Sequence, residues 1–261
     1  MRIDAVHHYV DLSRFAYGFL HPRLHQEFRP DWIAPLFKER RFDGGIAVSL
    51  LENDAETLWL LDLADQFPSV LAVAGWVDVD TPGLAARLNA LCSRPKFRGV
   101  RMNGVPGDAA LREVARRGLV ADLSLPPEAL PGVAELAGRI PDLAIVLDGM
   151  AAPPFASGFD AWARAMEDAA RHPNVAVKVS GLLLRATAPW SAVEIRPWVH
   201  HAWDCFGPDR MMFGSGWPLC LEADTWKAEL AAFTQSIGAL REETRAEVLG
   251  GVAARLYKIP L

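Results

Sequence analysis

The residues of this chain best suited to proton transfer and anion binding lie in or just after short apolar runs. His8 lies in the run that begins at Ile3, and the ordinary pKa of a histidine, about 6.5, suits proton transfer at neutral pH. Arg101 lies near the end of a run that begins at Phe97, and its planar guanidinium can hold a carboxylate or an enolate oxygen. Asp122, in a third run, could act as a base. We therefore predict that His8, Arg101 and Asp122 are catalytic, with His8 as the proton shuttle. The alternative for His8 is a side chain hydrogen-bonded to a neighbouring strand, and the alternative for Asp122 is an acid that orients an arginine or lysine.

A second group of residues is predicted to bind the substrate. Tyr9, Trp76 and Trp217 could provide flat aromatic walls for a ring-shaped substrate, and ordinary packing beneath loops is an equally good explanation. Asp78 and Lys178 are also predicted to bind the substrate. Asp78 could act as a base, and its alternative is to orient an arginine or lysine. Lys178 could become a base or a Schiff-base nucleophile if it loses its proton, and its alternative is a paired structural charge.

An ion pair is also the alternative for Arg101. Its partner would then be an acid of the same region, such as Asp122 or Glu52.

Eight short apolar runs, separated by helical patterns, predict the elements that position these residues. The runs are rich in Val, Ile and Leu, and several lack alternation, which is typical of parallel strands buried on both faces. They begin at Ile3, Gly44, Val70, Phe97, Leu119, Leu143, Val175 and Arg210. Eight strands alternating with helices predict a (β/α)8 barrel that forms a single domain over residues 1–261. A doubly wound sheet is the alternative, but no G-x-G-x-x-G follows the first strand.

Local signals indicate where helices and loops begin. Asn53 can cap a helix, and Glu56 three residues later would complete a capping box. The segment 13–30 is predicted to be a loop that covers the mouth of the barrel, and the Pro153–Pro154 stretch is predicted to lie in a loop.

Composition excludes several classes of protein. The chain has 261 residues, 51% of them hydrophobic, and a formal net charge of -5 without a basic cluster, so we expect no nucleic-acid partner. No apolar stretch approaches the roughly 18 residues of a membrane span, and the first ten residues do not resemble a signal peptide. Three widely spaced cysteines suit a reducing compartment. We expect a cytoplasmic protein whose partner is a small-molecule substrate.

Several phrases of the sequence resemble those of one enzyme family. Near the end of the chain stands RMMFGSGWPLC (210–220), preceded by PNVAVKVSGL and PDLAIVLD and followed by LGGVAARLY. Together with similar phrases across nearly the whole chain, they resemble the amidohydrolase-2 family, which includes sugar-lactone and pyrone-dicarboxylate lactonases. The resemblance implies a TIM-barrel fold, descent from a hydrolase, and a family lysine at Lys178.

The resemblance fails at the polar residues that the family places around the barrel mouth. Only His8 of five such residues is kept. The other four are replaced by Val6, Met102, Gly149 and Gly216. His7 cannot replace the lost strand-1 histidine, because adjacent strand residues point to opposite faces. For the same reason, Asp148 should point away from the face of the lost histidine at 149. Because a catalytic zinc normally needs three protein ligands, we predict no metal and no other cofactor.

Three functions remain open at this point. The first is a metal-independent enzyme that acts on a small cyclic or carboxylate-bearing substrate, either by lactone hydrolysis or by a non-hydrolytic cyclisation, isomerisation or decarboxylation. The second is a non-catalytic pseudoenzyme that binds a small metabolite. The third is a metallohydrolase with rebuilt ligands, for instance His8 with Asp122 and Asp148. A homodimer is also open, because barrels of this family often pair.

Overall fold

The protein folds into one eight-stranded parallel sheet with helices between the strands, in a computed structural model that describes residues 1–153, 155 and 157–260. Pro154 of the predicted loop and Leu261 of the predicted domain lie outside the described residues. The strands follow each other in chain order: β1 (Ile3–His7), β2 (Gly44–Val48), β3 (Val70–Trp76), β4 (Phe97–Asn103), β5 (Val120–Ser124), β6 (Ala144–Leu147), β7 (Val175–Val179) and β8 (Met211–Phe213). The predicted (β/α)8 barrel is confirmed.

The sheet curves round so that its first strand meets the segment after its last. The Gly216 amide donates to the Val6 carbonyl oxygen at 2.8 Å, and the His8 amide donates to the Trp217 carbonyl oxygen at 2.6 Å. Asp4 strengthens this junction, because its carboxylate accepts from both the amide and the hydroxyl of Ser215, at 2.7 and 2.6 Å. These bonds fix His8 beside the segment that follows β8.

Helices follow the strands, most of them on the outer side of the sheet. They are α1 (Pro30–Arg40), α2 (Asp54–Gln66), α3 (Leu84–Cys92), α4 (Asp108–Arg116), α5 (Gly132–Arg139), α6 (Phe159–Ala170), α7 (Leu182–Arg185), α8 (Ala192–Phe206), α9 (Trp226–Ile237), α10 (Glu242–Ala246) and α11 (Val252–Leu256). No helix among the described residues is sufficiently long and apolar to span a membrane.

The start of α2 differs in part from the prediction. Asn53 caps the helix as expected, since its side chain accepts from the Ala55 amide at 2.8 Å. The prediction of a capping box is wrong, because the Glu56 carboxylate accepts instead from the amides of Leu50 and Leu51, at 2.9 and 2.8 Å. A capping box would pair Glu56 with one backbone amide, whereas the loop after β2 has two amides that need an acceptor. One oxygen of the Glu56 carboxylate accepts from both. Glu56 therefore fixes a loop at the barrel mouth.

The core has two parts. Small and branched residues such as Ala72, Ala74 and Val146 fill the inside of the barrel, where Tyr257 from the C-terminal segment joins them. A larger apolar cluster lies between the sheet and its helices. Part of segment 13–30 packs against the end of the barrel, since the Phe28 ring lies 5.3 Å from the Trp217 ring between centroids. Each strand that leads to the mouth is therefore packed against apolar side chains on both of its faces.

Candidate active site

A cavity of about 170 Å³ lies at the carboxyl ends of the strands, which is the functional end of such barrels. Strands β1, β4 and β5 contribute to its wall, together with the segments that follow β1, β2, β6, β7 and β8. Its lining includes Val6, His8, Ser49, Arg101, Ser124, Asp148, Gly149, Ser180, Arg185 and Gly216. A larger hollow of about 400 Å³ lies beside Arg2 and α9, but its lining contains no histidine or carboxylate for acid–base chemistry. The smaller cavity lies at the strand ends and contains His8, Arg101 and Asp148, and it is therefore the candidate active site.

His8 is held as a neutral base on the wall of this cavity. Its Nδ1 lies 2.8 Å from the Val48 carbonyl oxygen, and because a carbonyl can only accept, Nδ1 must carry the proton. Nε2 therefore keeps its lone pair. Burial lowers the pKa of His8 from 6.5 to about 4, and the charge of Arg101 adds to this, while the Val48 bond opposes it. His8 is thus unprotonated at neutral pH, with the Nε2 lone pair able to accept a proton, and its bond to Val48 also matches the alternative of a side chain held by a neighbouring strand.

Arg101 forms an ion pair with Asp148 beside the cavity. Both side chains are mostly buried, and the Ser180 hydroxyl lies 3.5 Å from the second Asp148 oxygen. Burial alone would raise the pKa of Asp148, but the positive charges of Arg101 and Lys178 hold it below its ordinary range. The predicted ion-pair alternative for Arg101 is thus present, with Asp148 in place of Asp122 or Glu52.

The prediction that Asp148 points away from the cavity is wrong. Strand β6 ends at Leu147, and the chain then turns through a short 3-10 segment in which Gly149 and Met150 have φ values of 54° and 56°. Alternation of side chains applies only within a strand. Beyond Leu147 it no longer governs direction, and Asp148 turns to the cavity.

Arg185, which the sequence reasoning missed, also lines the cavity. One of its guanidinium nitrogens donates to the Gly181 carbonyl oxygen at 2.7 Å. A Cβ placed on Gly149 would lie 3.4 Å from another of its nitrogens, so the arginine occupies space beside Gly149, the position at which the family resemblance implies a histidine. Burial lowers the pKa of Arg185, and the nearby carboxylates Asp148 and Glu229 partly offset this effect. The available signal was its place shortly after a strand end, where barrel loops line the mouth.

Asp122 and Lys178 lie inside the barrel and do not line the cavity. Both are fully buried and form an ion pair, and the Tyr257 hydroxyl donates to the same Asp122 oxygen at 2.8 Å. From this position, Asp122 could influence a reaction only through its neighbours. Its catalytic role and the substrate contact of Lys178 remain predictions.

Tyr9 and Trp217 are buried behind β1 and do not line the cavity either. The Tyr9 hydroxyl lies 2.8 Å from Nε2 of His7, and its ring lies 6.3 Å from that of Trp217 between centroids. His7 itself is fully buried in this aromatic layer, on the face away from His8. These contacts match the packing alternative for the two aromatic residues, and their role in binding remains a prediction.

Trp76 and Asp78 line a second, neighbouring cavity of about 280 Å³. Glu52 and Asn103 also contribute to its wall, and they are joined by a hydrogen bond of 3.1 Å. Arg101 lines both this cavity and the first. The structure thus brings His8 and Arg101 together at one cavity, and Arg101, Trp76 and Asp78 together at the next.

The residues around the first cavity do not fit a divalent metal. Val6, Gly149 and Gly216 carry no donor side chain, and Asp148 is already paired with Arg101. Among the described residues, no group of three His, Cys, Asp or Glu side chains could jointly hold a metal ion. The rebuilt set of His8, Asp122 and Asp148 is not assembled either, because Asp122 is separated from the cavity.

Comparisons with known proteins agree with a barrel whose polar cavity lies at its mouth. The chain belongs to the amidohydrolase family, since the family model described as Amidohydrolase matches residues 41–259. An L-fucono-1,5-lactonase from Burkholderia ambifaria is 33% identical over 278 residues, covering 99% of this chain and 96% of the relative. The protein is therefore a lactonase-like amidohydrolase.

Solved structures extend the comparison. The crystal structure of an amidohydrolase from Burkholderia multivorans with bound zinc is 29% identical, covers all of both chains and has a TM-score of 0.87. Amidohydrolase 2 from Bifidobacterium longum subsp. infantis is 21% identical, with a TM-score of 0.78 over 99% of both chains, and shares the fold.

Proposed function

We propose that this protein is a metal-independent, lactonase-like hydrolase that acts on a small cyclic or carboxylate-bearing substrate, with His8 as its proton shuttle. The observation that carries the proposal is the state of His8, a neutral imidazole whose proton is fixed on Nδ1 at the wall of an arginine-lined cavity. The name of the Burkholderia ambifaria relative supports a sugar lactone as the substrate class.

The geometry supports the following reaction. Nε2 of His8 removes a proton from a water molecule as the water oxygen bonds to the lactone carbonyl carbon. Negative charge develops on the carbonyl oxygen, and the guanidinium of Arg101 or Arg185 stabilises it. The ring C–O bond then breaks, and His8 returns the proton to the departing ring oxygen. The product is a hydroxy acid, whose carboxylate the same arginines can hold.

Independence from a metal is proposed from the donor set of the cavity. A zinc ion that activates water would need three protein ligands. Among the described residues that line the cavity, Asp148 is paired with Arg101, and His8 is the one other His, Cys, Asp or Glu side chain. The zinc in the Burkholderia multivorans structure belongs to that protein.

The proposal is tested by following acid release from L-fucono-1,5-lactone and related sugar lactones with the purified protein. Replacing His8 with Ala should lower kcat at least about tenfold, because general acid–base catalysis contributes about 100-fold or more. His25→Ala is the matched control, since this histidine is exposed and lies outside both cavities, and it should leave turnover unchanged.

Unchanged turnover in His8→Ala would overturn the assignment of His8. The pseudoenzyme alternative predicts another outcome: calorimetry would detect binding of the hydroxy acid, but no lactone would be hydrolysed.

A further inference from the structure

The second cavity adjoins the first, and its size suggests that the two are used together. The His8 cavity, at about 170 Å³, is smaller than the roughly 300–1,000 Å³ of most ligand pockets. The second cavity adds about 280 Å³, and Arg101 forms part of both walls. A ligand that fills both would therefore extend from His8 past Arg101 toward Trp76.

The wall of the second cavity has the chemistry of a site for neutral hydroxyl groups. The aromatic ring of Trp76 can pack against the C–H face of a sugar ring. The carboxylates of Glu52 and Asp78 can accept hydroxyl hydrogens, while the amide of Asn103 can both donate and accept. These four residues come from three consecutive strand ends or loops, so they surround the cavity on several sides.

The charge of this wall disfavours a second anionic group. Glu52, Asp78 and Asp80 contribute negative charge, whereas the positive charge of Arg101 is paired with Asp148. A phosphate or second carboxylate would meet repulsion here, but a neutral polyol would not.

Hydrogen bonds connect the polar groups of the wall to one another and to nearby residues. Glu52 and Asn103 are joined at 3.1 Å, which connects the loop after β2 to the end of β4. The Asp78 carboxylate accepts from the Thr81 hydroxyl and from the Asp80 amide. The Thr81 bond lowers the pKa of Asp78, so it remains an acceptor at neutral pH. These bonds already restrict the side chains in part, which reduces the conformational freedom that they lose on binding.

We infer that the second cavity is a subsite for a neutral glycosyl group, attached to the lactone or hydroxy acid that the first cavity holds. The inference rests on the proposed function and specifies its substrate class. The substrate would be an aldonolactone that carries a second sugar ring, and the product would be the corresponding glycosylated aldonate.

A binding experiment tests the subsite without requiring turnover. Gluconate and cellobionate share the same open-chain acid, but cellobionate carries an additional glucosyl ring. By titration calorimetry we expect cellobionate to bind about tenfold more tightly than gluconate, because the added ring gains the Trp76 contact and hydroxyl hydrogen bonds. Trp76→Ala and Asn103→Ala should each remove most of this advantage while leaving gluconate binding within about twofold.

Trp32→Ala is the matched control, because this tryptophan is exposed on α1 and lines neither cavity. It should retain the preference for cellobionate. Equal binding of the two acids by the wild-type protein, or a preference that survives in both cavity variants, would overturn the inference.

Hydrolysis assays separate this inference from the proposed function. If gluconolactone is hydrolysed with no gain for cellobionolactone, and the acids bind equally, the subsite is wrong and the lactonase proposal stands. If no lactone is hydrolysed but cellobionate binds more tightly through Trp76, the subsite stands and the lactonase proposal is wrong.

Discussion

At the scale of the residue, one hydrogen bond determines what His8 can do. The Val48 carbonyl fixes the proton on Nδ1. Burial lowers the pKa of His8 to about 4, so the imidazole stays neutral at any pH well above that value. A base of this kind loses activity only where it becomes protonated. We therefore expect kcat/KM to be constant from about pH 5 to 8 and to fall by half near pH 4, where His8 takes up a proton.

The measurement is a pH–rate profile of the wild-type protein and of His8→Gln, which cannot titrate in this range. The acid limb should be absent from the variant's residual activity. A limb near pH 6.5 in the wild type would mean that His8 is solvated during the reaction, contrary to its position here.

Sequence reasoning found some of these residues and missed others for physical reasons. It located His8 and Arg101 because strand periodicity and strand ends are visible in the sequence. It misjudged Asp148, because the end of β6 at Leu147 depends on a turn with left-handed residues that the pattern does not reveal. It overlooked Arg185, because a four-residue helix has too little periodicity to be recognised.

At the scale of the element, a buried ion pair joins β5 to β7. Lys178 and Asp122 are fully buried, and Tyr257 also donates to Asp122. Lys178→Met would leave a buried carboxylate without its cation and should lower the free energy of unfolding by about 3–5 kcal/mol. Adding Asp122→Asn should recover a large part of this loss, because the amide is neutral and still accepts from Tyr257.

Urea unfolding of both single variants and the double variant measures this coupling. The two changes should be clearly less destabilising together than the sum of the single effects. Simple additivity would show that the pair contributes no mutual stabilisation.

Glu229 connects α9 to the start of α7, the helix that carries Arg185. Its carboxylate accepts from the amides of Leu182 and Leu183, at 2.7 and 3.1 Å. Burial raises the pKa of Glu229 from 4.5 to about 7, although these amides lower it in part. Between those two values the folded protein binds a proton that the unfolded chain does not. The stability contributed by this group is therefore greatest below pH 4.5 and falls as the pH rises toward 7.

Glu229→Gln removes this titration and keeps one acceptor oxygen for the two amides. It should be less stable than the wild type at pH 5, and the difference should shrink by ~1 kcal/mol for each pH unit up to pH 7. Urea unfolding at pH 5, 6 and 7 measures the trend, with the exposed Glu243→Gln measured alongside as a control for the substitution itself. A constant offset for Glu229→Gln would show that this carboxyl does not titrate in the range.

Elements are where sequence reasoning succeeded most fully. All eight strands were predicted, because residues buried on both faces of a parallel sheet leave continuous apolar runs. The sequence does not predict the hydrogen bonds by which Glu56 and Glu229 connect their helices to other segments. Both carboxylates accept from backbone amides, and such bonds require no particular residue type at the partner position. These links nevertheless shape the wall of the cavity.

At the scale of the whole molecule, the barrel is stabilised independently of the polar residues at its mouth. Most of its buried side chains are apolar, and Val6 belongs to the apolar cluster inside the barrel. The space at Gly216 also remains open, because a Cβ there would meet no atom within 4 Å. The side chains at the mouth can thus vary while the apolar core is kept, which is why the sequence predicts the fold more fully than the chemistry.

Metal independence gives a prediction for the molecule as a whole. The donor set at the cavity predicts that purified protein holds less than stoichiometric metal and that treatment with a strong chelator leaves kcat within about twofold.

Added zinc should also leave the melting temperature nearly unchanged. A site with a Kd of about 1 μM would gain about 2.7 kcal/mol at 100 μM zinc, and this gain would raise Tm by several degrees in a chain of this size. His8→Ala is the control for zinc bound elsewhere, because any shift that both proteins share does not come from the cavity. Stoichiometric metal together with chelator-sensitive turnover that zinc restores would instead make the protein a metallohydrolase, with His8 as a ligand.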